Sequence, residues 1–116
     1  MSKDYTAYFN QLQNQIQRMG KETPGVMKGI GQMHQSALAN GALSTSTKEL
    51  IALGIGIAVR CEGCITLHVY DALKAGATRE EIVETVGVAV LMGGGPSLVY
   101  GSQALEALDQ FENPQG

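Results

Sequence analysis

The sequence predicts an all-α fold of about six short helices, and three observations carry that prediction. Apolar residues recur at three- and four-residue spacing along nearly the whole chain, while strand-like alternation is almost absent. Helix start and stop signals punctuate the apolar runs at regular intervals. Small residues are plentiful and large ones scarce: 15 of the 116 residues are Gly, aromatics make up 5%, and there is no Trp. Small side chains let helices approach closely, but they leave each chain little large apolar surface to bury.

The first helix is expected to carry Tyr5, Phe9, Leu12, Ile16 and Met19 on one face and to stop at Gly20. Thr23-Pro24 opens the second, because proline is tolerated at the first helical position. That helix should turn Val26, Met27, Ile30, Met33, Ala37 and Leu38 inward and end near Asn40-Gly41. A third begins around Ser44 or Ser46, and Lys48 to Arg60 is apolar enough all round to predict burial. Gly63 is expected to mark a break or tight turn, after which a fourth helix runs to a glycine cap at Gly76. Thr78-x-x-Glu81 is a capping-box pattern that opens the fifth, through Ile82, Val86, Ala89, Val90 and Met92. Gly93-Gly94-Gly95-Pro96 breaks it, as a turn permitting close packing, and Ser97 to about Phe111 forms the last. Ile55 to Val59 and Val86 to Val90 are β-branched, yet their flanking caps assign them to helices.

Size and charge narrow the functional classes. A chain of 116 residues is one domain, spanning 1–116, with no linker or internal repeat. The net charge is −3 with no basic stripe, which argues against nucleic acid. The longest apolar run, Leu50 to Val59, is half of the ~20 residues that cross a bilayer, so no membrane association is expected. The start Met1-Ser2-Lys3-Asp4-Tyr5 carries no apolar leader, which points to the cytoplasm, where thiols are kept reduced. Limited burial per chain points to self-association.

The chemistry concentrates at Cys61-x-x-Cys64 followed by His68. Two cysteines three residues apart close too short a loop to be a useful staple, and a cytoplasmic disulfide is more often catalytic. Near a helix start the macrodipole favours a thiolate at Cys64, and His68 lies one turn further on the same face, placed to take its proton. A second thiol at this spacing can attack a sulfenic acid or mixed disulfide on the first. Zinc is the competing reading of Cys61, Cys64 and His68, but a closed site needs a fourth ligand and only His34 remains. Glu49, twelve residues before Cys61, is either a carboxylate that orients His68 or the partner of Ser46 in a capping box. Met27, Met33 and Met92 are expected as core filler, His34 as a surface or interface residue, and Glu80, Glu81 and Glu84 as a solvated face.

Lys48-Glu49-Leu50-Ile51-Ala52-Leu53, Cys61-x-x-Cys64-x-x-x-His68 and Ala75-Gly76-Ala77-Thr78-x-Glu80-Glu81-Ile82 together resemble the carboxymuconolactone decarboxylase superfamily. The likeness is greatest to the branch built on the alkylhydroperoxidase D core, over roughly residues 43–100. The resemblance implies an all-helical fold assembled into trimers or trimer-based hexamers. It places the catalytic set on Glu49, Cys61, Cys64 and His68. Cys64 would be the buried peroxidatic thiol, Cys61 the more exposed resolving thiol, and Glu49 with His68 a proton relay. A small peroxide or disulfide substrate and a dithiol electron donor go with that reading; no bound organic cofactor is needed for it, and no metal is expected. Gly63 stands where some peroxidase members carry a histidine, and the core occurs once here rather than twice. Two other functions compete: a lactone decarboxylase, which the thiol pair counts against, and a non-enzymatic redox sensor or interaction protein.

Overall fold

The computed structural model describes residues 3–114, so Met1 and Ser2, on which part of the expectation about the N-terminal start falls, lie outside the described residues. Among the described residues the chain forms helices and no strand: α1 Tyr5–Glu22, α2 Pro24–Leu38, α3 Thr45–Ala58, α4 Glu62–Lys74, α5 Arg79–Gly93 and α6 Gly95–Glu112. The all-α prediction of about six helices therefore holds, including the β-branched stretches in α3 and α5.

The boundaries follow local chemistry. Asp4 caps α1 by accepting from the Ala7 amide at 2.9 Å. α1 runs past Gly20 to Glu22, since one glycine in a helix interior costs only about 1 kcal/mol and tertiary contacts override it. Ser44, not Ser46, caps α3, accepting from the Thr47 amide at 3.1 Å. The Thr78–Glu81 capping box forms in both directions. Gly94, at φ 74, ends α5 and lets α6 start at Gly95, two residues earlier than the sequence suggests. A Cβ on Gly93 would overlap the Ser97 side chain, so this turn does serve close packing, within the chain itself.

α3 packs chiefly against α4 and α5, and α6 closes the bundle against α5 and α4. Leu53, Ile57, Ile65, Val69, Ile82 and Leu108 are fully buried between them. Each contributes about 1.5–3 kcal/mol of hydrophobic stabilisation. α1 is tied to α6 by a pair of bonds: Tyr5 N–H donates to Gln110 Oε1 at 2.6 Å, and Gln110 Nε2 donates to the Lys3 carbonyl at 2.7 Å. Phe9, Tyr70 and Phe111, with ring centroids 4.2–5.7 Å apart, join α1, α4 and α6.

Three burial expectations are corrected. α2 buries no residue: Val26, Ile30 and Met33 are exposed, because α2 touches only α1 and the end of α3. Only Tyr5 and Phe9 of the α1 stripe are buried, while Ile16 and Met19, beyond the reach of α4 and α6, face outward. α3 is not buried all round, since Ile51, Ile55 and Val59 project from the side away from α4. Met33 and Met92 are accordingly surface residues, not core filler.

Candidate thiol site at the start of α4

The site is built at a sharp turn between α3 and α4. Arg60, at φ 61, is a left-handed residue without the freedom of glycine. It allows a Schellman ending: Arg60 N–H donates to the Ile57 carbonyl at 3.1 Å and Cys61 N–H to the Gly56 carbonyl at 3.0 Å. The chain break expected at Gly63 thus falls at Arg60-Cys61, and Gly63 lies inside the first turn of α4. Cys61 is the N-cap, its sulfur accepting from the Cys64 amide at 3.2 Å. N-cap geometry brings a side chain back over the amide three residues on, which is also where the Cys64 side chain starts. Cys61 and Cys64 are joined as a disulfide, with Cα atoms 5.2 Å apart.

Two glycines make room for this turn. A Cβ on Gly56 would stand 3.3 Å from Cys64 Cβ, so α3 approaches the second cysteine about as closely as a backbone can. A Cβ on Gly63 would stand 3.5 Å from Tyr8 Oη and 3.6 Å from Leu12, so α1 roofs the first turn of α4 at Gly63. Lys3 completes that roof, 3.5 Å from the centre of the Tyr8 ring and 2.9 Å from Glu62 in the first turn of α4. Cys61 and Cys64 are both partly exposed, rather than one exposed and one buried.

Beneath the turn, α3 and α4 bring Glu49 and His68 together. Glu49 Oε1 lies 2.7 Å from His68 Nδ1. Glu49 is only 4% exposed, while the His68 side chain keeps a 20% opening. A carboxylate that accepts from Nδ1–H leaves Nε2 free to take or give a second proton. Because Ser44 caps α3, Glu49 is released from the capping role that Ser46-x-x-Glu49 suggested. The Cys61 and Cys64 sulfurs are bound to each other, so in this oxidised state neither is a thiolate of the kind a Cys/Cys/His zinc set would need.

One residue of this cluster was not singled out from the sequence. Asp71 lies three residues after His68 on α4, and donor atoms of Glu49, His68 and Asp71 all fall within 4.8 Å of one another. Burial pushes the Asp71 carboxyl above its usual range, and the neighbouring Glu49 charge pushes it further. His68, His34 and Lys74 pull in the opposite direction without cancelling it. The signal was legible in principle: an acid at i+3 from a candidate histidine shares its helix face. His34 is exposed on α2, as expected, yet its charge is felt at Asp71.

Known proteins bear on this arrangement. The model of the carboxymuconolactone decarboxylase family matches residues 24–107. That span takes in α2 and most of α6, beyond residues 43–100, where the sequence resemblance lies. An uncharacterised protein of Cupriavidus necator is 31% identical over 109 residues, covering 94% of this chain and 96% of its own. An uncharacterised protein from the cox locus of Paracoccus denitrificans is 39% identical over 74 residues, 64% of this chain and 67% of its own. Among solved structures, the apo form of a carboxymuconolactone decarboxylase family protein from Legionella pneumophila matches with a TM-score of 0.90. It is 44% identical and is aligned over 95% of this chain and 98% of its own. A Thermotoga maritima family member, ascribed a possible part in the antioxidative response, shares the fold at TM-score 0.82 and 24% identity, over 91% of each chain.

Proposed function

The chain belongs to the carboxymuconolactone decarboxylase family, and from that premise we propose that it is a thiol-dependent antioxidant enzyme reducing hydroperoxides or disulfides. The single observation that carries this reading is the Cys61–Cys64 disulfide at the mouth of α4, with His68 one turn on and bonded to the buried Glu49. A family fold alone does not assign chemistry, and the thiol pair with its histidine is what selects redox work over decarboxylation.

In the reduced state the Cys64 S–H bond breaks and its proton passes to His68, leaving a thiolate at the positive end of α4. Glu49 orients the ring through Nδ1 and stabilises the imidazolium. The thiolate attacks one oxygen of a hydroperoxide, the O–O bond breaks, and the proton held by His68 goes to the departing alkoxide. Cys64 is then a sulfenic acid. The Cys61 thiol attacks it, forming the S–S bond and releasing water. A dithiol donor, protein or small molecule, restores both thiols by exchange and is itself oxidised to a disulfide. A disulfide substrate would enter at the same thiolate, through a mixed disulfide that Cys61 resolves. Such a cycle suits a reducing compartment such as the cytoplasm; among the described residues no helix is long and apolar enough to cross a membrane.

We further propose a homo-oligomer, a trimer or a trimer-based hexamer. Supporting this are the outward apolar residues: Val26, Ile30 and Met33 of α2, and a groove of about 420 Å³ between α3 and α5 walled by Ile51, Ile55, Val88 and Met92. Exposed apolar side chains gathered along a groove suit burial against a second copy.

The test is consumption of hydroperoxide, or of a small disulfide, coupled to a dithiol donor. Wild-type protein should turn over, and Cys64→Ser should fall to background. Full activity in Cys64→Ser, or no turnover by the wild type with any dithiol donor, overturns the reading.

A further inference from the structure

The residue left over by this mechanism is Asp71. We propose that Asp71 is a positioning residue for His68: its carboxylate supplies the second negative charge that holds the imidazolium formed when His68 takes the Cys64 proton. The proposal rests on the thiol-reductase reading of the site and deepens it.

Geometry carries the argument. Asp71 stands one turn beyond His68 on the same helix, with its carboxylate within 4.8 Å of both the His68 ring nitrogen and the Glu49 oxygen. Glu49 already holds Nδ1 at 2.7 Å, so Asp71 acts through charge and not by replacing that bond. When the S–H bond of Cys64 breaks and an N–H bond forms on His68, a positive charge appears between two carboxylates. When that proton leaves for the alkoxide, the charge disappears again. An ionised Asp71 therefore favours the thiolate–imidazolium state over the thiol–imidazole state. The other charges facing Asp71 are His34 from α2 and Lys74 from α4, both positive or able to become so, and Glu49 from α3.

A purely structural role fits the surroundings poorly. Half-burying a carboxylate beside Glu49 opposes ionisation, which is why the Asp71 carboxyl is raised above 3.8. A raised carboxyl adds stability that is complete below pH 3.8 and is lost as pH rises through its folded value. At neutral pH ionised Asp71 thus works against the fold, and a neutral isostere should be more stable.

The experiment uses the full chain, reduced with a phosphine, and follows iodoacetamide alkylation of Cys64 against pH by peptide mass spectrometry. Asp71→Asn should slow alkylation at neutral pH by about fivefold, as expected from losing one unit charge a few ångströms from the imidazolium. Its rate profile should move to higher pH, and Asp71→Glu should restore most of the rate. Thermal unfolding should show Asp71→Asn more stable than wild type at pH 7, with the gain shrinking towards pH 4. A wild-type profile in Asp71→Asn, or an Asp71→Glu that behaves like Asp71→Asn, overturns the proposal. So does an Asp71→Asn that melts lower than wild type at pH 7, since that marks a structural role. Alkylation needs neither hydroperoxide nor dithiol turnover, so loss of the enzymatic reading and loss of this one are told apart.

Discussion

α4 and α2 are both helices of moderate length, and they meet opposite fates. α4 is gripped by α3, α6 and α1, and its Ile65, Thr66, Val69 and Ala72 are completely shielded. α2 carries an equally apolar stripe, yet Met33 is 66% exposed and Val26 60%. The contrast separates two kinds of information in one chain. The α3–α4 pair is self-sufficient: it positions Glu49, Cys61, Cys64, His68 and Asp71 with contacts from its own chain. α2 and the α3–α5 groove leave apolar residues exposed, and these are the surfaces that the proposed self-association would cover.

The most forceful way to break this contrast is to cut one methyl-rich side chain from each region. Ile65→Ala removes a fully buried side chain facing the core, and should cost about 2–5 kcal/mol in a denaturant titration. Met33→Ala deletes a comparable volume from α2 and should change the stability of the dissociated chain by no more than about 0.5 kcal/mol. Equal costs for the two, measured at concentrations low enough to dissociate copies, would erase the distinction between a finished and an unfinished region.

The next effect is on assembly. Ile55 (59% exposed) and Val88 face each other across the α3–α5 groove. Ile55→Lys places a charge on a surface that, if covered by a second copy, would have to desolvate it. Light scattering should then show the mass falling toward that of one chain, with the helical circular dichroism signal unchanged. An unchanged mass for Ile55→Lys and for the double variant Ile55→Lys/Val88→Lys would mean that the groove is not the interface.

These cases also show what the sequence could and could not disclose. The caps at Thr78 and Gly76 were legible because each is a local device, decided by residues within one turn. The Cys61, Cys64, His68 constellation was legible for the same reason, being confined to one helix start. The Glu49–His68 bond spans nineteen positions, and periodicity alone left it open between relay and cap. Asp71 was missed because an acid on a helix reads as solvated until a second carboxylate is known to sit beside it. The α2 stripe was assigned to the core because a 3.6-residue period says that a face is apolar and says nothing about which chain covers it. Gly63 looks like the break because glycine is the usual left-handed residue, whereas here Arg60 takes that role.

That last point yields the smallest predicted effect. Two Schellman endings bracket α4, built from the same hydrogen bonds but different residues. At the far end Gly76, at φ 100, lets Gly76 N–H reach Leu73 and Ala77 N–H reach Ala72 at 3.0 and 2.9 Å. At the thiol end Arg60 does the same at φ 61, with a Cβ that disfavours the left-handed region by about 1–2 kcal/mol. Gly76→Ala should therefore destabilise by about 1 kcal/mol, because it imposes on the far end the strain that the near end already carries. Arg60→Gly should relieve that strain, and the extra freedom glycine gains in the unfolded chain takes back about 0.5–1 kcal/mol, leaving a net gain of at most about 1.5 kcal/mol. Chemical denaturation of the two variants, in the oxidised state, measures both signs in one experiment. A loss of stability in Arg60→Gly would mean that the Arg60 side chain itself holds the turn, and the strain at the thiol site would then be offset locally, not by the packing of α3 on α4.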